Sequence, residues 1–364
     1  MRVQTLKKNS SLVTILEHGV VFALLAFMLV GCRYTPQREV TEKPQRLRTA
    51  HFVAPDGAVI PVRTRMPSEA PKALVIAVHG FNDYSRAFET VAPRLGRAGI
   101  GMIAYDQRGF GMSAGTGTWA GLEHYATDLR SLTFSVQVKY PGVPIYLLGE
   151  SMGAAVVISA LSRHGDLPVT GVILSAPAVW SRETMPWYQL WVLESAAALF
   201  PEMRVTGSGL KVQASDNVEM LHELGRDPWV IKASRVDAIH GLADLMDIAQ
   251  TEVARIPVPI LVLYGGQDQI IPEVPVHQMV ERLSGRGDVR LAFYPKGYHL
   301  LLRDLHAEIA LGDIIAWISK PLAPLPSGCE VGSGGWLTGS GPFSVSPKCL
   351  SDRSGDPQAS RDPR

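Results

Sequence analysis

The sequence predicts an α/β fold: a mostly parallel sheet with helices on both faces, carrying an inserted helical segment. Short runs that are apolar throughout, such as "ALVIAVHG" from Ala73 and "GMIAYD" from Gly101, alternate with longer amphipathic stretches. Strands apolar on both faces belong to parallel sheets buried between helix layers. The alternation lapses between Ala178 and Arg255 and then resumes, which marks an insertion rather than a second domain.

Regular structure is expected from Leu47, where "LRTAHFVAPDGAVIPVRTRMP" reads as two strands around Pro55-Asp56-Gly57. Proline fixes one turn torsion there and glycine tolerates the next. The strand at Ala73–Gly80 is followed by a helix over Ser85–Ala98, the strand at Gly101–Asp106 and a helix over Trp119–Lys139. Next come the strand "PIYLLG", a helix over Met152–Arg163 and the strand "GVILSAP". After the insertion the pattern gives "PILVLYGGQD", a helix near Val274–Leu283, "VRLAFYP" and a last helix over Leu301–Ile318. No internal repeat is visible.

Beyond residue 320 the chain is rich in Gly, Ser and Pro with few periodic apolar residues, so residues 321–364 are expected to be disordered. The N-terminus has its own pattern. Arg2, Lys7 and Lys8 precede the apolar run Val20–Val30, which ends in Gly31-Cys32. That run is short of the roughly 20 residues a membrane span needs, so residues 1–31 read as a secretory signal. Leu29-Val30-Gly31-Cys32 resembles the lipobox of bacterial lipoproteins, which implies lipidation at Cys32, a membrane tether, and an extracytoplasmic location. Arg33 after that cysteine, in place of an aspartate, points to the outer membrane where a cell has one. An ordinary signal anchor with an incidental cysteine is the alternative. Residues 32–46 are polar and contain prolines, as a tether would. Export would also permit a disulfide between Cys329 and Cys349.

With 364 residues, 46% of them hydrophobic, the chain can bury a large core. Its 35 basic and 34 acidic side chains leave a net charge of +1, which excludes the basic footprint of a nucleic-acid binder. His222 and His240 fit helix surfaces without ligand spacing and suggest no metal.

Chemistry is carried by Gly149-Glu150-Ser151-Met152-Gly153, a Gly-x-Ser-x-Gly string between an expected strand and an expected helix. A nucleophilic serine projects from a sharp, strained turn at such a junction, and side chains at the two glycines would collide with neighbouring backbone. An ordinary helix N-cap serine is the alternative. The N–H of Met152 opens the helix and can meet negative charge on a carbonyl oxygen, and the N–H of Phe81, after "VIAVHG", is placed to be the second donor. A serine also needs a base, and the base needs a carboxylate. Asp268 and His299 end two later strands, in "LVLYGGQDQIIP" and "FYPKGYHLLLRD". Asp304 is the weaker rival acid, because it falls within the expected last helix.

Taken with His79-Gly80, "DQRGFGMS" and "GYH", these motifs make residues 47–320 resemble the α/β-hydrolase family, and within it the monoacylglycerol lipase, lysophospholipase and serine aminopeptidase-like group. The resemblance implies a serine hydrolase that forms an acyl-enzyme and needs no cofactor, acting on a small-molecule or lipid acyl ester. Ser151 would be nucleophile, His299 the base, Asp268 its orienting acid, and Phe81 and Met152 the oxyanion donors. An acyltransferase or aminopeptidase could share that triad, and a non-catalytic binding protein would keep only the fold. Two positions depart from the group: Glu150 stands where histidine is frequent, and Asn82 where glycine is frequent, which puts the oxyanion loop's shape in question. Asp106 and Arg108 are expected to form a buried ion pair or loop brace, and His79 to pair with backbone. In the insertion, expected as a cap over residues 178–255, Trp187 and Trp191 lie four apart at helical spacing, suited to core packing or to a surface that meets acyl chains.

Overall fold

A computed structural model describes residues 50–207, 209, 212–331, 345 and 349. The signal, Cys32 and the tether lie outside the described residues. Among those described, no helix is long and apolar enough to cross a membrane.

The two strands expected around Pro55-Asp56-Gly57 are β1 (Ala50–Val53) and β2 (Val59–Arg65), paired antiparallel at the edge of an eight-stranded sheet. The sheet continues with β4 (Ile100–Tyr105), β3 (Ala73–Val78), β5 (Ile145–Glu150), β6 (Gly171–Ser175), β9 (Ile260–Gly265) and β10 (Val289–Tyr294) in that spatial order. All of these six run parallel. Successive strand residues face opposite layers, so β3 sends Leu74, Ile76 and Val78 into one apolar cluster and Val75 and Ala77 into the other. The first cluster is closed by α2 (Leu122–Lys139), α3 (Met152–Arg163), α6 (Val236–Glu252) and α7 (Glu273–Arg282). The second is closed by α1 (Val91–Arg97) and α8 (Ala307–Ser319). The parallel sheet with helices on both faces is what the alternation predicts, and the architecture is the α/β-hydrolase fold that the motif resemblance implies.

Helix starts depart from expectation for local reasons. Gly121, at φ 92°, stops α2 from starting at Trp119. The expected helix over Ser85–Ala98 divides into a short 3-10 turn, Ser85–Phe88, and α1. The last helix starts only at Ala307, because Arg303 and Asp304 are held in a turn by their own partners.

The insertion holds α4 (Trp187–Leu199), β7 (Arg204–Thr206), α5 (Val218–Arg226) and β8 (Ala233–Arg235), the two strands pairing antiparallel. Its expected span of 178–255 is too long. Helix α6 lies inside that range, yet Leu245, Ala249 and the following Val253 are fully buried in the core cluster that also contains α3. A parallel crossover from β6 to β9 requires a covering helix, and α6 supplies it.

The tail also needs correction. Residues 321–331 are packed rather than disordered: Phe293 N–H donates to Cys329 O at 2.9 Å, Val331 N–H donates to Leu291 O at 2.8 Å, and Leu325, Cys329 and Val331 are buried. This short antiparallel addition covers the β10 edge, which would otherwise expose unpaired backbone. Cys329 is bonded to Cys349.

Candidate active site

Ser151 lies between the end of β5 and the start of α3 with φ 53° and ψ −118°, and its side chain does not cap the helix. That conformation is costly for a residue with a Cβ, and it excludes the ordinary N-cap reading. The flanking glycines permit the turn. A Cβ on Gly149 would sit 2.4 Å from Ala154 Cα, and one on Gly153 would sit 2.0 Å from Val78 O. Backbone bonds fix the turn to the next strand, with Ser151 N–H donating to Ser175 O at 3.0 Å and Ala178 N–H donating to Ser151 O at 3.1 Å.

Asp268 and His299 meet as the motif spacing predicts. His299 Nδ1 donates to Asp268 Oδ2 at 2.8 Å, with both side chains almost fully buried. The other carboxylate oxygen, Oδ1, accepts from Ile270 N–H at 2.8 Å and Ile271 N–H at 3.0 Å. Asp268 is therefore fixed by its own loop, and Nε2 is left as the working nitrogen of the imidazole. The two loops can touch because Gly265 and Gly266 lack side chains: a Cβ on Gly265 would lie 2.4 Å from Gly297 O. Gln267 N–H also donates to Gly297 O at 2.8 Å.

Ser151 Oγ makes no hydrogen bond among the described residues, so Ser151 and His299 are placed at one edge of the sheet without a closed hydrogen bond between them. Unliganded hydrolytic sites commonly tighten this link on binding substrate. The carboxylate rival is elsewhere. Asp304 accepts from Ser215 Oγ at 2.6 Å and from Tyr298 N–H at 2.7 Å, and burial raises its pKa. It braces the residue before His299 rather than the imidazole.

On the oxyanion side, Gly80 packs against Ser151, its position for a Cβ being 3.4 Å from Ser151 Cβ. Neither the Phe81 nor the Met152 N–H makes a hydrogen bond among the described residues, so both are left available to a ligand oxygen. Asn82 takes φ 66°, the left-handed conformation that a glycine would adopt and that asparagine tolerates. Its Nδ2 donates to Ser234 Oγ at 2.7 Å and its carbonyl accepts from Ile231 N–H at 2.9 Å. The substitution thus keeps the turn and adds a link to the insertion.

His79 is a support, as expected: its Nε2 accepts from Gln107 N–H at 3.0 Å and its Nδ1 donates to Gly80 O at 2.8 Å. Burial lowers its pKa, which keeps the ring neutral. Asp106 and Arg108 do not pair with each other. Asp106 accepts from Ser85 and from Met112 N–H, while Arg108 holds Asp128 with two bonds and also reaches Asp56. Each braces a loop separately.

One contact at the site escapes sequence reading. Arg303 and Glu150 form a buried ion pair of 2.7 Å, and Arg303 also holds Asp83 at 2.8 Å. Burial opposes the guanidinium charge, but the two carboxylates outweigh it and hold the arginine pKa above its ordinary value. A cavity of about 500 Å³ is lined by this arginine together with Asp83, Met220, Glu223, Asp227 and Leu302, and not by Ser151, Asp268 or His299.

Residues 69–306 match the family model described as serine aminopeptidase, S33. The chain belongs to that family. Among curated relatives, the monoacylglycerol lipase of Mycolicibacterium smegmatis is 28% identical over 288 residues, covering 76% of this chain and 98% of that protein. The human monoglyceride lipase is 26% identical over 280 residues, covering 75% and 91%. Solved structures of similar fold include the Paleococcus ferrophilus monoacylglycerol lipase, with TM-score 0.61 and 24% identity over 71% of this chain and 98% of that one. Another is a soluble variant of the Saccharomyces cerevisiae monoglyceride lipase in complex with a substrate analog, with TM-score 0.64 and 20% identity over 79% and 99%. In this chain Ser151, Asp268 and His299 stand on the loops that follow β5, β9 and β10, the strand ends at which open α/β sheets hold ligands.

Proposed function

We propose that the chain is a serine carboxylic ester hydrolase that cleaves an acyl ester of the monoacylglycerol or lysophospholipid kind through an acyl-enzyme. One observation carries the reading: a serine held in a strained turn, its hydroxyl not spent on capping, shares a sheet edge with a histidine whose Nδ1 is bound to a buried carboxylate. In this mechanism Ser151 Oγ attacks the ester carbonyl carbon while its proton passes to His299 Nε2. Asp268 stabilises the imidazolium. The N–H groups of Phe81 and Met152 receive the oxyanion, each worth about 2.7–4 kcal/mol in reactions of this type. The proton then goes to the departing alcohol, and water repeats the sequence to release the acid and restore Ser151.

Preference for a lipid ester is supported by the relatives named monoacylglycerol lipase and by α4. That helix buries none of its side chains, and Trp187 and Trp191 are 79% and 68% exposed. An apolar, aromatic surface of this kind suits an acyl-chain interface better than water. The lipobox-like Leu29-Val30-Gly31-Cys32 supports a membrane tether through Cys32, on the extracytoplasmic side of a bacterial envelope, and such a tether would hold the enzyme where its substrate is.

The test uses purified full-length protein with a fluorophosphonate probe and a series of acyl glycerol esters set beside aminoacyl amides. Labelling and ester hydrolysis are expected in the wild type, with both lost in Ser151→Ala. Full esterase activity in Ser151→Ala ends the assignment. Cleavage of the amides in preference to the esters would replace it with an aminopeptidase.

A further inference from the structure

The arginine that follows the base loop is better placed than a structural ion pair needs to be. Arg303 is only 8% exposed, and its guanidinium divides between two carboxylates, Nη2 on Glu150 Oε1 at 2.7 Å and Nη1 on Asp83 Oδ2 at 2.8 Å. Glu150 is the residue immediately before Ser151. Asp83 lies two residues after Phe81, and Arg303 lies four residues after His299. One side chain therefore spans the segments that carry the nucleophile, an oxyanion donor and the base.

Stability is a poor reason for such a group. Two buried carboxylates against one guanidinium leave an unbalanced charge, and Glu150 Oε2 and Arg303 Nε have no hydrogen-bond partners among the described residues. Buried ion pairs can often be replaced by apolar residues without loss of stability, whereas the planar guanidinium fixes direction in a way that apolar contacts do not. The turn bearing His299 has other anchors, including Asn217 Nδ2 on Arg303 O at 3.1 Å and Leu300 N–H on Ala214 O at 2.8 Å. These hold its backbone to the insertion. Among the described residues, Arg303 is what joins it to both the Ser151 turn and the Phe81 loop by side-chain bonds.

We propose that Arg303 is a positioning residue that, through Glu150 and Asp83, sets the distance of His299 from Ser151 and from the oxyanion donors. This rests on the serine-hydrolase reading above. Because the hydroxyl of Ser151 is not yet bonded to His299, the spacing of the two loops is the quantity left to be fixed, and a fork that holds both carboxylates fixes it. Lysine carries the charge but cannot span two carboxylates with the same planar geometry, and methionine carries neither.

The experiment compares wild type, Arg303→Lys and Arg303→Met as full-length proteins. Each is followed by thermal unfolding, by fluorophosphonate labelling rate, and by kcat and KM on p-nitrophenyl butyrate. The expected order of kcat is wild type, then lysine, then methionine, with losses of about 10-fold and about 100-fold, the scale of a misplacement near 1 Å. KM should stay within about threefold, because no substrate contact is removed. If methionine does not fold, the lysine variant decides alone, since it keeps the charge that Asp83 and Glu150 require. A folded lysine variant with wild-type kcat and labelling rate overturns the proposal, as does a loss no larger than its unfolded fraction. Ser151→Ala, run alongside, separates the two claims: if it still labels and turns over, the underlying reading fails whatever Arg303 does.

Discussion

Replacing Gly153 by alanine tests whether the Phe81 loop and the Ser151 turn are one mechanical unit. A Cβ at this position would lie 2.0 Å from Val78 O, 2.5 Å from Val78 C and 2.8 Å from His79 O, all of them backbone atoms that cannot rotate away. Real Cβ contacts are essentially never under 3.0 Å, so α3 and the end of β3 must separate by about 1 Å. Forcing a group of this size into a packed interior costs about 1–3 kcal/mol. At roughly 2–4 °C per kcal/mol for a domain of this size, Tm should fall by several degrees. The same displacement acts on chemistry. Val78 leads directly into His79, Gly80 and Phe81, so the N–H of Phe81 moves relative to Ser151, and about 1 Å of misplacement is worth roughly 100-fold in rate.

Circular-dichroism melting and kcat on a soluble ester read the two effects separately. Gly96→Ala is the control: nothing lies within 4 Å of its added Cβ, and it sits inside α1. Alanine is favoured over glycine in a helix by about 1 kcal/mol, so Gly96→Ala should raise Tm and leave kcat unchanged. A Gly153→Ala protein with the melting point and kcat of the wild type would refute the reasoning, because the β3–α3 contact would then not be rigid.

Acid should loosen the insertion before the core. Glu194 on α4 is held below its ordinary pKa by His240, with Arg182 adding to the effect, so its contribution is present above the unfolded value of about 4.3 and is lost as pH falls through the folded value. Tryptophan emission from Trp187 and Trp191 should therefore change in acid, and Glu194→Gln should remove part of that change; identical acid titrations in both proteins would discard the link. For the N-terminus, a fatty-acid analogue should label the wild type and spare Cys32→Ser, and equal labelling of the two would remove the lipoprotein proposal.

The sheet was legible because strands such as β3, β4 and β9 are apolar throughout, and the Asp268–His299 pair because each residue lies in the loop after a strand. Ser151 was legible through Gly149 and Gly153, whose lack of side chains has the steric cause the motif implies. What could not be read lacks periodicity. Arg303 and Glu150 are 153 residues apart, and nothing local in either segment marks its partner. The strip at 329–331 adds too few residues to the β10 edge to show an alternation, so its Gly, Ser and Pro surroundings dominate the reading. Helix α6 was placed with the insertion because no strand of the parallel sheet separates its sequence from α4 and α5, whereas its burial is decided by the sheet it covers. Asn82 shows a different limit: its residue type departs from the common glycine, but its backbone does not.

The non-glycine residues with positive φ among those described are Asn82, Ser151 and Ala176. They follow β3, β5 and β6, neighbouring strands in the sheet, so the strain is gathered at one edge instead of being spread over the molecule. Each such conformation costs about 1–3 kcal/mol and persists only where surrounding contacts leave no alternative. Those contacts are visible: Ser175 O and Ala178 N–H hold Ser151, Leu263 O holds Ala176 N–H at 2.8 Å, and Ile231 and Ser234 hold Asn82. A fold selected for stability alone would relax these turns, for instance with glycine at Ala176 or a capping rotamer at Ser151. Their retention at the same edge that carries the Asp268–His299 pair is best explained by what the strain achieves, a Ser151 hydroxyl not spent on capping its helix.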